Sequence, residues 1–143
     1  MATSDAEVVR QFWSDVNSGG YEAVERLVAF DYIDRFPADF VSSSGREGLQ
    51  QTFQVLRRAL SNLRFSVEAI IAEDETVLTR FTARGHHTGV YMGTLPSGMR
   101  IEMMGLYLCR VDRGFIVEGG MLLDDMGLLR QAREPVVGQG SAA

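Results

Sequence analysis

The sequence predicts an α+β domain, and three observations support this class. Apolar side chains recur at helical spacing in the first part of the chain, and from Arg64 onward they recur at every second residue, as in strands. The chain has 143 residues, of which 45% are apolar or aromatic. This is enough for one hydrophobic core without disulfides or metal ions. We therefore expect a single domain over residues 1–134 and a disordered tail over 135–143, which contains Pro, Gly and Ser.

Three helices are predicted before the strands. The first begins at Ser4, where Ser4-Asp5-Ala6-Glu7 has the spacing of a capping box, and ends within residues 17–20. A second, shorter helix ends near Asp31, and residues 32–45 are predicted to form a loop because Pro, Asp and Ser interrupt the periodicity. The third helix covers residues 48–60, where one apolar stripe runs along its length.

Four strands are predicted over residues 65–71, 76–85, 99–111 and 115–123. The turn after the first contains two Glu and one Asp, and the turn before the last reads Asp112-Arg113-Gly114, which is typical of a hairpin. Helices followed by a meander of strands predict three N-terminal helices that cover one face of an antiparallel sheet.

The third predicted strand is apolar on both faces. Its odd positions are Ile101, Met103, Gly105, Tyr107 and Cys109, and its even positions include Met104, Leu106 and Leu108. The helices can cover only one face of an antiparallel sheet, so the other needs a second cover. A second copy of the chain is the simplest candidate, and we predict a homodimer through the open face.

The composition excludes several kinds of chemistry and of partner. All 14 basic residues are Arg, so mechanisms that need a lysine Schiff base are excluded. Cys109 is the single cysteine, and the two histidines, His86 and His87, are adjacent and would point to opposite faces of a strand. No metal site and no cofactor are expected, since metal-ligand spacings and a phosphate-binding loop are absent from the sequence.

The charge and the hydropathy also limit the partners. The net charge is −5 without a basic block, so nucleic acid and anionic membrane are poor partners, and a small hydrophobic ligand is expected. No apolar run approaches the ~18 residues of a membrane span, and residues 1–7 lack the pattern of a signal peptide. We therefore expect a cytoplasmic protein.

Asp124 is the candidate for proton transfer among the acidic residues, because it lies in the most apolar stretch of the chain, between Phe115 and Leu129. A carboxylate in apolar surroundings has a raised pKa and can exchange protons near neutral pH. Asp124 or Asp125 can equally cap a short terminal helix that begins at Met126. The residues alone leave these two interpretations open.

Several motifs together resemble the SnoaL-like polyketide cyclases. The segment Ile116-Val117-Glu118, Asp124 and 127–131 matches the spacing of the family pattern I-V-E-H-W-x-x-x-D-x-x-G-L-L-x-Q. Residues 85–89 and 95–98 resemble the elements G-T-H-T-G and P-P-T-G-K, and residues 32–34 and 63–68 resemble Y-V-D-H and D-L-R-V-T-V-E. The resemblance extends over residues 7–131.

This resemblance implies a cone-shaped α+β barrel of the nuclear transport factor 2-like superfamily, with an apolar pocket between the helices and a curved sheet. It implies a cofactor-free intramolecular aldol condensation of a polyketide in antibiotic biosynthesis, with Asp124 as general acid and base. If Asp124 is not the catalytic residue, Asp125 and His87 are the next candidates for that role. The expected substrate-binding residues are Trp13, Tyr32, Arg35, Phe53, Met104, Leu106, Leu108, Gly120 and Leu122.

The sequence departs from the family pattern at three positions. Arg35 replaces a His, and Gly119-Gly120 replaces the pair His-Trp. Loss of the indole at position 120 is expected to enlarge or reshape the pocket beside Asp124.

Two alternatives remain open. The first keeps the pocket but changes the reaction to that of an isomerase, a dehydratase, an epoxide hydrolase or a cofactor-free oxygenation component, and an Asp paired with Arg35 or Arg110 would favour epoxide hydrolysis. The second is a non-catalytic module for small-molecule binding or dimerisation.

Overall fold

The computed structural model describes residues 4–19 and 22–133. The elements follow one another as α1 (Asp5–Asn17), α2 (Glu22–Leu27), β1 (Val28–Phe36), α3 (Gly45–Ala59), β2 (Leu60–Glu73), β3 (Thr76–His87), β4 (Arg100–Asp112), β5 (Phe115–Leu123) and α4 (Asp125–Arg133). The predicted α+β class is confirmed. The predicted disordered tail lies outside the described residues.

The five strands form one sheet in the order β1-β5-β4-β3-β2. Strands β2 to β5 are the predicted antiparallel meander, whereas β1 lies at the edge and pairs with β5 in parallel. The prediction of a helix and then a loop over residues 28–36 was wrong. Val28 and Tyr32 are the buried residues of β1, and their spacing of four imitates a helix because the register of β1 shifts twice against β5.

The helices do not form the uninterrupted N-terminal set that the sequence predicts, because β1 separates α2 from α3. Helix α1 begins at the predicted cap, where the Glu7 amide donates to Ser4 Oγ at 3.2 Å. The buried side of α1 carries Phe12 and Trp13, which pack with aromatic residues of α3 and of the sheet. The ring centroids of Trp13 and Phe81 lie 4.7 Å apart. This aromatic cluster is the centre of the core between the helices and the sheet.

Strand β4 alternates strictly between a buried and an exposed face. Its odd residues, including Met103 and Tyr107, face the helices and are fully buried. Its even residues Met104, Leu106 and Leu108 are 51%, 37% and 47% exposed. The doubly apolar character of the strand therefore leaves one apolar face open. We call the side of the sheet opposite the helices the outer face.

The described part of the chain, residues 4–19 and 22–133, contains no helix that is both long and apolar enough to cross a membrane.

Candidate active site

A small cavity lies between β1, α3 and the inner side of the sheet. Tyr32 and Asp34 of β1 line it together with Thr52 of α3 and Tyr107 of β4. Its volume is about 10 Å³, which is close to the space that one water molecule needs. It is the only one of the cavities described below that has a titratable carboxylate and buried hydroxyl groups on its wall.

The small cavity adjoins a larger depression of about 320 Å³ at the surface, which we call the mouth. The two share four lining residues, Phe36, Ala38, Met121 and Leu123. The side chain of Phe36 is half exposed, and residues 37–44, which follow it, form a loop without regular structure. The barrier between the mouth and the inner cavity is therefore made partly of a side chain that solvent already reaches.

Asp34 follows the inward-facing Tyr32 at an interval of two, so it faces the same cavity, and an irregularity of β1 comes directly after it. Asp34 pairs with Gly119 and Phe36 pairs with Gly120, so Arg35 is the extra residue of a bulge. The Phe36 amide donates to Asp34 Oδ1 at 3.1 Å. Burial raises the pKa of Asp34, and the hydrogen bond from Phe36 opposes this shift only in part. Asp34 is therefore a carboxylate whose proton affinity is increased and whose position is fixed by its own strand.

Two tyrosines place their hydroxyl groups beside Asp34. Tyr32 Oη and Tyr107 Oη are 2.9 Å apart and hydrogen-bonded, and both side chains are buried. Burial raises the pKa of both phenols well above their ordinary value, so both stay protonated at neutral pH. Gly119 makes room for this pair, because a Cβ at that position would lie 2.7 Å from each hydroxyl oxygen.

A second carboxylate lies at the mouth. The hydroxyl of the buried Tyr91 donates to Asp125 Oδ1 at 2.5 Å, and the ring of Phe40 packs edge-on against Tyr91. Burial raises the pKa of Asp125, which also lines the mouth. Asp125 is thus a second carboxylate of raised pKa, on the wall of the mouth.

Asp124 lies at the start of α4 and is exposed to solvent. Its Oδ1 accepts a hydrogen bond from the Gly127 amide at 3.0 Å, which is the geometry of a helix N-cap. Of the two interpretations that the sequence left open, the structural one therefore describes what Asp124 contacts. Its catalytic role remains a prediction that rests on the family pattern.

Five of the predicted substrate-binding residues, Met104, Leu106, Leu108, Gly120 and Leu122, lie on the outer face rather than on the helix-covered side. They share one face, as the alternation predicted, but the placement in a pocket under the helices was wrong. The register explains this, because Gly119 and Met121 pair with the inward-facing Cys109 and Tyr107. An outer cavity of about 260 Å³, lined in part by Leu108, Gly120 and Arg35, lies on this side.

The expected enlargement at Gly120 is also corrected. A Cβ at Gly120 would lie 2.3 Å from Cδ2 of Phe36, so the Phe36 ring already occupies the space beside this glycine. A large side chain at position 120 would therefore require the Phe36 ring to move.

Arg35 belongs to an ionic network on the outer face. Its Nε contacts Glu118 Oε1 at 2.8 Å, and Arg110 Nε contacts Glu118 Oε2 at 2.9 Å. Arg110 also contacts Glu75. Hydrogen bonds from Arg110 and Arg35 hold the pKa of Glu118 below its ordinary value. Both arginines are thus paired with glutamates. Among the described residues, neither of them forms the ion pair with an aspartate that would favour epoxide hydrolysis.

The remaining predicted site residues divide between the cavity and the core. Tyr32 lines the small cavity from β1, and its role in substrate binding remains a prediction. Trp13 and Phe53 are buried in the aromatic cluster, and Trp13 Nε1 donates to Thr79 Oγ1 at 3.3 Å. His87 is buried at the end of β3, where its Nδ1 accepts from the Ser97 amide at 3.2 Å, and it is not among the residues that line the small cavity.

Sequence reasoning missed the roles of Asp34 and Tyr107 in this cavity. Asp34 was noticed only as part of the Y-V-D resemblance, and Tyr107 only as one of the odd residues of β4. The pairing of Asp34 with Gly119 is visible only in the structure, because residues 28–36 were predicted as a helix and a loop. Among the described residues, no group of three or more His, Cys, Asp or Glu could hold a metal ion.

The fold and the cavity define a small α+β protein with a half-buried carboxylate on the wall of a helix-covered cavity. The sequence profile of SnoaL-like polyketide cyclases matches residues 7–132, and the chain belongs to this family. No protein among the curated ones matches the sequence.

Solved structures agree with this assignment. IdmH of Streptomyces antibioticus, a candidate polyketide cyclase, is 27% identical with a TM-score of 0.80, and the match covers 90% of this chain and 98% of IdmH. AclR of Streptomyces galilaeus, a candidate hydroxylase, is 22% identical with a TM-score of 0.78, and the match covers 96% of this chain and 89% of AclR. A candidate polyketide cyclase of Bacillus cereus is 20% identical with a TM-score of 0.77, over 90% of this chain and 80% of that one. The last two, both under 25% identical, support the fold alone.

Proposed function

We propose that the protein is a polyketide ring cyclase that catalyses an intramolecular aldol condensation without a cofactor, with Asp34 as general base and acid. The observation that carries this proposal is a carboxylate of raised pKa on the wall of a helix-covered cavity, where the other lining groups are apolar or hydroxyl-bearing. A base with increased proton affinity in such a place is suited to removing a proton from carbon.

The proposed reaction has two proton transfers and one bond-forming step. The Asp34 carboxylate takes a proton from a carbon beside a carbonyl group, and the electron pair of the C–H bond becomes that of an enolate. The enolate carbon attacks a second carbonyl of the same molecule, so a C–C bond forms and an alkoxide appears. The protonated Asp34 then returns its proton to the alkoxide. General acid–base catalysis of this kind contributes about 10²–10⁴-fold, and the remainder must come from positioning.

The volumes of the two cavities limit how a substrate can bind. The inner cavity of about 10 Å³ is too small for a polyketide, whereas the mouth measures about 320 Å³. We propose that the body of the substrate lies in the mouth, and that its reacting end displaces the half-exposed Phe36 side chain to reach Asp34.

Asp124 is the competing base, because the family pattern assigns that role to it. A direct comparison uses Asp34→Asn and Asp124→Asn, with each amide keeping the shape of its carboxylate. Both proteins are dialysed against EDTA and given an aryl polyketide ester that carries a ketone or an aldehyde. The cyclised product is followed by liquid chromatography and mass spectrometry.

We expect Asp34→Asn to lower kcat by a factor of about 10² or more, since the base is lost, and Asp124→Asn to retain most of the activity. The acid limb of the wild-type kcat/KM profile should lie above the ordinary pKa of an aspartate, because burial raises the pKa of Asp34. If Asp124→Asn is the inactive variant, the base is the residue that the family pattern indicates. A requirement for a metal ion or a redox cofactor would contradict the whole mechanism.

We also propose that the outer face binds a second copy of the chain. Its exposed residues Met104, Leu106 and Leu108 continue onto β5 at Leu122, so two neighbouring strands present one apolar surface. Arginine and glutamate side chains border this surface, which allows pairs of opposite charge in a twofold arrangement.

A further inference from the structure

One of the two hydroxyl groups of the Tyr32–Tyr107 pair does not donate a hydrogen bond. Each phenol carries one O–H, and the bond of 2.9 Å between the two oxygens uses one of the two protons. Among the described residues, neither hydroxyl has any other hydrogen-bond partner. Whichever tyrosine accepts within the pair therefore has its own O–H free, and this donor is buried.

The free O–H belongs to the same cavity as Asp34. Tyr32, Asp34 and Tyr107 all lie on its wall, and Gly119 leaves the space in which the two hydroxyls meet. Both rings are fixed by burial, and the Tyr107 ring stacks on Phe12 with centroids 5.9 Å apart. The donor is thus held in place before a ligand arrives, which is what distinguishes a binding group from a flexible surface hydroxyl.

We propose that the free hydroxyl of the Tyr32–Tyr107 pair donates a hydrogen bond to the carbonyl oxygen of the substrate while Asp34 removes a proton from the adjacent carbon. This inference rests on the proposed function, because it takes Asp34 as the base. It specifies the substrate end that enters the cavity: a carbonyl group with a C–H on the next carbon, presented so that the oxygen meets the tyrosines and the carbon meets the carboxylate.

The arrangement stabilises the enolate more than the ketone. As the C–H bond breaks, its proton moves to Asp34 and its electron pair shifts until the negative charge lies on the carbonyl oxygen. A hydrogen bond to that oxygen strengthens as the charge develops, so the donor lowers the barrier rather than merely binding the substrate. The second tyrosine polarises the first through their mutual hydrogen bond, which makes the free O–H a better donor.

The deprotonation step can be measured apart from ring closure. 2-Tetralone has a benzylic C–H that both its carbonyl and its aromatic ring acidify and it has no second carbonyl, so in D₂O the wild-type chain should catalyse exchange of its benzylic protons, detected by mass spectrometry. The variants are Tyr107→Phe, Tyr32→Phe and the double variant, which keep the rings and remove the hydroxyls. Thr79→Val is the matched control, because it also removes one buried hydroxyl that has one partner, Trp13.

We expect at least one single tyrosine variant to lower kcat for exchange about 10- to 1,000-fold with little change in KM, as for loss of one oxyanion donor. The double variant should be hardly worse than the more damaging single one, since the two hydroxyls act as a unit. Thr79→Val should exchange at the wild-type rate. Phenylalanine variants that keep the acid limb of the wild-type pH profile would show that Asp34 still acts as the base.

The possible failures are distinguishable. If Asp34→Asn abolishes exchange while all tyrosine variants exchange at the wild-type rate, the donor proposal is overturned and the base stands. If Thr79→Val loses as much activity as the tyrosine variants, the effect is structural and the donor proposal is again overturned. If Asp34→Asn keeps its exchange activity, or the wild-type chain catalyses none, the proposed function fails and the inference fails with it.

Discussion

Gly119→Ala tests the most tightly packed point of the cavity. The added Cβ would lie 2.7 Å from Tyr107 Oη and 2.7 Å from Tyr32 Oη. Neither hydroxyl can move outward easily, because both tyrosines are buried. The methyl group must therefore either separate the hydroxyl pair or push the two strands apart.

Three contributions determine how much Gly119→Ala changes the free energy of unfolding. Overpacking of a buried site costs about 1–3 kcal/mol, and the hydrogen bond between the hydroxyls contributes about 0.5–1.5 kcal/mol. Replacing Gly by Ala restores about 0.4–1 kcal/mol through the unfolded chain. We expect Gly119→Ala to lower the free energy of unfolding by about 2 kcal/mol and to impair catalysis through the displaced hydroxyls.

Gly120→Ala is the control, because it makes the same change at the next residue. Its Cβ would meet the Phe36 ring at 2.3 Å, but this ring is 53% exposed and can rotate into solvent. We expect a smaller loss of stability than for Gly119→Ala, because rotation of one half-exposed ring can relieve the contact. Urea unfolding followed by the fluorescence of the single Trp13 measures both variants. Equal stabilities of the two variants would refute the packing of the hydroxyl pair against Gly119.

Three further outcomes are expected. Burial raises the pKa of Asp34, so the wild type loses stability as the pH rises through this pKa, whereas an asparagine does not titrate. Asp34→Asn should therefore stabilise the fold at neutral pH, and this gain should disappear below the ordinary pKa of aspartate. Thermal denaturation across pH measures this, and a gain that persists in acid would contradict it. Asp124→Ala should cost about 1 kcal/mol in urea unfolding through loss of the α4 cap, and an unchanged midpoint would show that the cap contributes nothing. Leu106→Glu should convert a dimer to a folded monomer in sedimentation experiments, whereas a wild type that is monomeric at micromolar concentration would remove the proposed interface.

The sequence was sufficient for the elements whose hydrophobic pattern is regular. Helix α1 has a capping box and a buried stripe, and strands β3 to β5 alternate between hairpin turns, so local spacing predicted them. Strand β1 was missed because an edge strand with two register shifts buries only Val28 and Tyr32, at a helical interval.

The face of the sheet on which the site lies could not be read from local pattern. Both faces of β4 are apolar, and only the packing of α1 and α3 decides that Tyr107 points inward and Leu106 outward. Asp124 follows an apolar stretch, but those neighbours belong to both faces of β5, and the carboxylate itself is exposed. Asp34 lies at the cavity because it follows the inward-facing Tyr32 at an interval of two on β1, a strand that the local pattern did not predict.

In the mechanism we propose, the chemistry takes place at Asp34, on the helix-covered side of the sheet. A crystal structure of the wild-type protein with a cyclised polyketide product tests it most directly. We expect the new ring to lie against Asp34 and the Tyr32–Tyr107 pair, with Phe36 displaced and the rest of the product in the mouth. A product bound on the outer face, over Gly120 and Leu106, would contradict it.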